Sequence, residues 1–138
     1  MTVKEWLKRA RVLDKEINQL LIAKREAYAR AVGSGVDTSK EQVQGGGGNG
    51  TEDKFIRVAD YELLIDKKID KLLEIKQEII EAVNEVEDST YRTLLLAYYV
   101  NCKTWEQVAE ELNYNLRWIY RLHGRALQAI ESHYHPVV

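Results

Sequence analysis

The sequence predicts an all-α fold: an N-terminal antiparallel helical hairpin of coiled-coil type followed by a unit of three shorter helices. Three observations predict it. Two long segments repeat apolar residues at alternating spacings of three and four, the helical period. The single proline, Pro136, falls at the far end of the 138 residues, so it interrupts no candidate helix. After residue 88 the apolar pattern shortens into three pieces separated by "NCK" and "NYN".

The first long segment opens with "TVKE". Thr2 can accept from the amide of Glu5 while the Glu5 side chain reaches back, a capping box. Trp6, Ala10, Leu13, Ile17, Leu20, Lys24, Ala27 and Ala31 then form a heptad seam. The second segment repeats the rhythm with Val58, Ile65, Ile69, Leu72, Lys76, Ile79, Val83 and Val86. Lys24 and Lys76 interrupt the seams, weakening them locally and fixing their register. Residues 1–31 carry a net charge of +4 and residues 54–88 a net of −4, which favours pairing the two helices with each other.

Between them lies "GSGVDTSKEQVQGGGGNGTED", residues 33–53, expected to be a mobile glycine-rich loop. A phosphate-binding loop needs a strand-to-helix context and a following Lys-Ser/Thr, and neither is present. A flexible coil of roughly 20 residues averages about 25 Å end to end, whereas the first helix should be about 45 Å long. Antiparallel pairing in a hairpin is the easier closure, with parallel or intermolecular pairing left open. Residues 1–88 therefore read as a hairpin arm and residues 89–138 as a separate domain.

That second domain begins with "STYRTLLLAYYV", apolar on nearly all sides and so a buried helix. After "NCK" comes "TWEQVAEEL", with a second capping box from Thr104 and Gln107 and an inner face of Val108, Ala109 and Leu112. "NYN" turns the chain, and Asn115 can cap a last helix running to about Ser132.

The last helix carries the functional signal. The stretch "NYNLRWIYRLHGRAL", Asn113 to Leu127, holds three arginines, three large aromatics and no acid, in a chain whose net charge is −2. On a helical wheel centred on Ile119, Ala126, Ile130, His123, Leu122 and Leu116 gather on one side. Arg117, Arg121 and Gln128 fall near the opposite pole, with Arg125 and Gly124 about 60° from it. Trp118 and Tyr120 flank the two sides. A supporting helix, a brief turn and an arginine-faced helix make a helix-turn-helix, whose second helix enters the major groove of DNA. Arg117 and Arg121, in the first two turns, can reach guanine edges or phosphates, and Arg125 is better placed for phosphate. Leu116, Trp118, Tyr120 and Gln128 complete the expected contact surface, and Thr104 can offer its amide to a phosphate. Arginine is also a good helix former, so a plain solvated face is the competing reading. Glu106, Glu110 and Glu111 fit DNA only if they face away from it.

The stretch "TWEQVAEELNYNLRWIYRLHGRALQAIE" resembles region 4 of sigma-70-type factors, with its apolar-Ala-Glu-x-Leu supporting helix, polar cap and closing Arg-Ala-Leu. The wider pattern, from "YRTLLLAYYV" to "GRAL" behind a charged helical arm and a "VQG"-type loop, is similar to phage and prophage proteins of the ArpU and RinA-like group of late-transcription regulators. The resemblance covers roughly residues 89–131 and extends to the arm only in layout. It departs at Asn115, where serine is common, and at Tyr120, where arginine often stands. It implies sequence-directed binding of double-stranded DNA in transcription control, with RNA polymerase as a candidate partner.

Little else suggests chemistry. His123, His133, His135 and Cys102 lack the paired spacing of a zinc site. Cys102, the single cysteine, has no histidine and acid organised beside it and excludes an internal disulfide. The ten carboxylates between Asp60 and Asp88 sit among lysines and read as a solvated or ion-paired face. No apolar run is long enough for a membrane span, and "MTVKEWLKRAR" lacks the apolar core of a signal peptide. The sequence therefore predicts a non-enzymatic, cofactor-free DNA-binding regulator of the bacterial cytoplasm, with the arm serving oligomerisation or protein contact. Two rival readings are a DNA-packaging protein resembling a small terminase subunit and a helical adaptor that binds no DNA.

Overall fold

A computed structural model describes residues 1–33 and 47–134. It contains five α-helices, and no strand among the described residues. They are α1 (Val3–Gly33), α2 (Gly47–Asn84), α3 (Ser89–Leu95), α4 (Trp105–Leu112) and α5 (Leu116–Glu131). α3 runs on into a π-helical turn, Leu96–Val100. The all-α class is as the spacing predicts. Residues 34–46, most of the expected glycine-rich loop, lie outside the described residues, as do residues 135–138 with His135. Residues 47–53, also expected in the loop, belong instead to α2.

Contacts divide the described residues into two units: 1–14 with 71–134, and 15–33 with 47–70. Early α1 meets the C-terminal part of the chain through Trp6, whose ring centroid lies 5.3 Å from that of Tyr134, and through Arg11, which lies over the Tyr98 ring.

In the larger unit, α1 begins with the expected capping box. The Thr2 amide donates to Glu5 Oε2 at 2.9 Å and the Glu5 amide donates to Thr2 Oγ1 at 3.1 Å. Leu7, Ile79, Val83, Leu94, Leu95, Tyr99, Val108, Ile119 and Ile130 are fully buried and form its core. Each such aliphatic side chain contributes roughly 1.5–3 kcal/mol by leaving water. Leu7 is fully buried although it lies off the heptad seam. The corner after α2 is held from two sides. Arg92 Nη1 donates to the carbonyls of Val86 and Glu87, each at 2.6 Å. Asp88 caps α3 by accepting from the amides of Thr90 and Tyr91. Asp88, expected on the solvated acidic face, is thus a structural cap. An ion pair of 2.8 Å joins Arg9 to Glu78.

In the smaller unit, Ile17 and Ala31 of α1 and Val58 and Ile65 of α2 are buried, as the seam predicts. Ile69, also on that seam, is 37% exposed. Lys68 pairs with Glu16 at 2.9 Å and Lys24 with Glu62 at 3.3 Å, so the two segments run antiparallel. Lys24 sits within the seam, and its ammonium pairs with Glu62 of the facing helix. These pairs are part-exposed and screened by water, so they orient the helices more than they stabilise them.

Candidate nucleic-acid interface

The geometry around α5 is set by two local devices. α4 starts in a complete capping box: the Gln107 amide donates to Thr104 Oγ1 at 3.2 Å and the Thr104 amide donates to Gln107 Oε1 at 2.9 Å. It ends in a Schellman closure, with the Tyr114 amide donating to the Ala109 carbonyl at 3.0 Å and that of Asn113 to Glu110 at 3.3 Å. Asn113 takes the left-handed conformation this closure needs, φ 59°. Asparagine tolerates that region better than most residues with a Cβ. Asn115 then caps α5, its Oδ1 accepting from the Trp118 amide at 2.8 Å. The three residues Asn113–Asn115 make the whole turn between α4 and α5.

α5 buries Ile119, Leu122, Ala126 and Ile130. Arg117, Arg121, Arg125, Gln128 and Gly124 are exposed on the other side, as the wheel predicts. Among the described residues neither Arg117 nor Arg121 has an ion-pair or hydrogen-bond partner. Arg125 lies 5.3 Å from the Trp118 ring centroid, a cation–π contact that holds both side chains on one flank. Tyr120, half exposed, meets the Trp105 ring edge-on at 5.9 Å on the other flank. Leu116 is half-buried at the start of the helix. Thr104 is exposed, but its capping box already engages the amide expected to hold a phosphate, so an anion there would have to displace Gln107. Glu106, Glu110 and Glu111 are exposed on α4, and Glu111 is ion-paired with Lys103.

Behind α5 lies an aromatic cluster that sequence reasoning missed. Tyr98 stacks on Trp105 at 3.7 Å between centroids, with ring planes 11° apart. The Arg11 guanidinium lies 3.9 Å from the Tyr98 centroid. Tyr99 is fully buried, and its hydroxyl lies 2.7 Å from His123 Nε2. Burial pushes the Tyr99 hydroxyl well above the usual tyrosine range, so it keeps its proton and donates to Nε2. Burial, with Lys4 and Lys8 nearby, holds His123 down to about 4, so the imidazole is neutral near pH 7 and accepts. Burial also pushes the Cys102 thiol up, with Asp14 adding to the effect, which disfavours the reactive thiolate. Among the described residues no three metal-ligating side chains gather. No helix among them is long and apolar enough to cross a membrane.

Lys4 and Lys8 border this cluster from α1. Their signal was present in the sequence as an i, i+4 basic pair on an early turn, but nothing local ties that turn to α5.

The fold and site define a class: an all-α protein presenting an arginine-faced helix behind a short, double-capped turn. Within that class the chain belongs to the family described as "Protein of unknown function (DUF1492)", whose family model matches residues 30–131, well over half of its length. Neither the curated proteins nor the solved structures yield a match.

Proposed function

We propose that the chain is a DNA-binding transcription regulator of phage or prophage type, reading duplex DNA with α5 of a helix-turn-helix formed by α4 and α5. The observation that carries this reading is the exposed face of Arg117, Arg121 and Arg125, opposite the buried face and free of acids until Glu131. Three guanidinium groups on one solvent-facing side, two without an internal partner among the described residues, suit the phosphates and guanine edges of a major groove. The resemblance to sigma region 4 and to the ArpU and RinA-like regulators supports transcription control, with RNA polymerase as the candidate partner.

Three arginines on a single unit suit weak binding, and two copies would present two such helices to two half-sites. Ile56, Leu63 and Leu64 of α2 are exposed, which supports self-association through this segment. Sedimentation of the full chain tests that, and a ring-sized assembly would favour the packaging reading instead.

The test of the DNA reading is the anisotropy of a labelled random duplex, titrated at several salt concentrations with the native chain and with Arg121→Glu. The native chain is expected to bind with a steep salt dependence, and the variant to lose binding while keeping its helical circular dichroism. A native chain that leaves the duplex free even at low salt would turn the arginine face into a solvated or protein-binding surface, the adaptor reading.

A further inference from the structure

The start of α1 mixes charges: Glu5 and the Thr2 cap suit the positive end of the helix dipole, and Lys4 beside them does not. Lys8 stands one turn further on, where a like charge four residues away is unfavourable. Both are exposed, and among the described residues neither has an acidic partner. Yet both face one cavity of about 360 Å³, where they meet Tyr98, Trp105, Tyr120 and His123, with no carboxylate in its wall. Both ammonium groups lie near enough to His123 to disfavour its protonation, after the larger effect of burial.

The cavity lies beside the arginine face. Tyr120 forms part of its wall and directly precedes Arg121 on α5. A ligand filling it needs negative charge to offset two ammonium groups, and a ligand that also lies along α5 must extend past Tyr120. A phosphodiester backbone meets both conditions.

We propose that Lys4 and Lys8 of α1 grip the phosphodiester backbone of the same DNA duplex that α5 faces, at the cavity walled by Tyr120. The proposal rests on the DNA reading of α5 and adds a second element, α1, to the interface. Lysine suits this place, since a compact ammonium neutralises phosphate without demanding a fixed bidentate geometry.

The test measures duplex affinity between low and moderate salt for the full chain, for Lys4→Gln with Lys8→Gln, for Lys4→Arg with Lys8→Arg, and for Lys67→Gln with Lys71→Gln. Each phosphate contact contributes about 0.9 to the slope of log affinity against log salt, so the first pair of substitutions is expected to lower it by about 1.8. The arginine pair keeps the native slope. The α2 pair, which removes equal charge elsewhere, keeps it too. Circular dichroism melting confirms that each variant is folded. If the glutamine pair binds with the native slope while Arg121→Glu loses binding, α5 still meets DNA and the proposal about α1 is overturned. If inorganic phosphate at constant ionic strength changes the tryptophan fluorescence of the native chain but not of a glutamine pair that retains the native slope, the cavity takes free phosphate and the proposal again falls. No binding by the native chain overturns both readings together.

Discussion

Arg11 lies over Tyr98, its guanidinium carbon 3.9 Å from the ring centroid, while its Nη1 donates to the Tyr98 carbonyl at 2.8 Å and to that of Lys103 at 3.0 Å. One side chain of α1 thereby closes the end of the π-helical turn, where the chain leaves helical geometry through Asn101 and the left-handed Cys102. Arg11→Ala removes a charged donor from two carbonyls and an ion from an aromatic face. The expected loss is about 2–3 kcal/mol in urea denaturation. Arg11→Lys should recover only part of it, because an ammonium cannot lie over the ring and serve both carbonyls. A loss below roughly 0.5 kcal/mol for the alanine variant would show that the contact is ornamental.

The Tyr99–His123 pair makes stability depend on pH. His123 titrates at about 4 in the folded chain, against an ordinary 6.5 when unfolded. Between these values the unfolded chain binds a proton that the folded chain refuses, so stability falls as pH drops from about 6.5 towards 4. Above about 7 both states are neutral at this residue and it contributes no slope. Melting temperatures of native and His123→Gln chains across pH 4.5–8 should diverge in slope only on the acid side. Parallel curves would mean that the ring is not held neutral by its surroundings.

The turn between α4 and α5 rests on two asparagines in different conformations. Asn115→Ala removes the acceptor for the Trp118 amide and should cost about 1 kcal/mol. Asn115→Ser keeps an acceptor and should cost little. Asn113→Gly should be neutral or stabilising, since glycine enters the left-handed region without a Cβ clash. Chemical denaturation that ranks serine with alanine at position 115 would contradict the cap.

Gly124 sits in the middle of α5 on its exposed face, and a Cβ built there would meet nothing within 4 Å. Packing within the chain therefore does not require glycine, which lowers helix stability by roughly 0.5–1 kcal/mol relative to alanine. Gly124→Ala should raise the melting temperature. If a DNA backbone approaches α5 closely at this point, the same variant should bind duplex more weakly despite its greater stability. Higher stability with unchanged binding would place the closest approach elsewhere on the helix.

The helices were legible because their signals are local. Spacing alone marks the buried faces of α4 and α5, and it places Arg117, Arg121 and Arg125 opposite Ile119 and Ala126. The capping boxes at Thr2 and Thr104 and the cap at Asn115 join residues three apart, so they too could be read from the chain. The heptad seam was legible in part: Ile17, Val58 and Ile65 are buried on it, whereas Leu7 is buried off it and Ile69 is partly exposed on it.

What the linear chain by itself determined was the all-α class, most helix boundaries and the face on which the arginines stand. Only the tertiary structure decided that Arg11 closes a turn 87 and 92 residues away, that the first turns of α1 group with the C-terminal helices, and that Lys4 and Lys8 share a cavity with Tyr120. The reason is physical. Periodicity and capping depend on residues within one turn of each other, whereas these partners meet only after separate helices have packed, and the chain carries no short-range mark of which helix will be the neighbour.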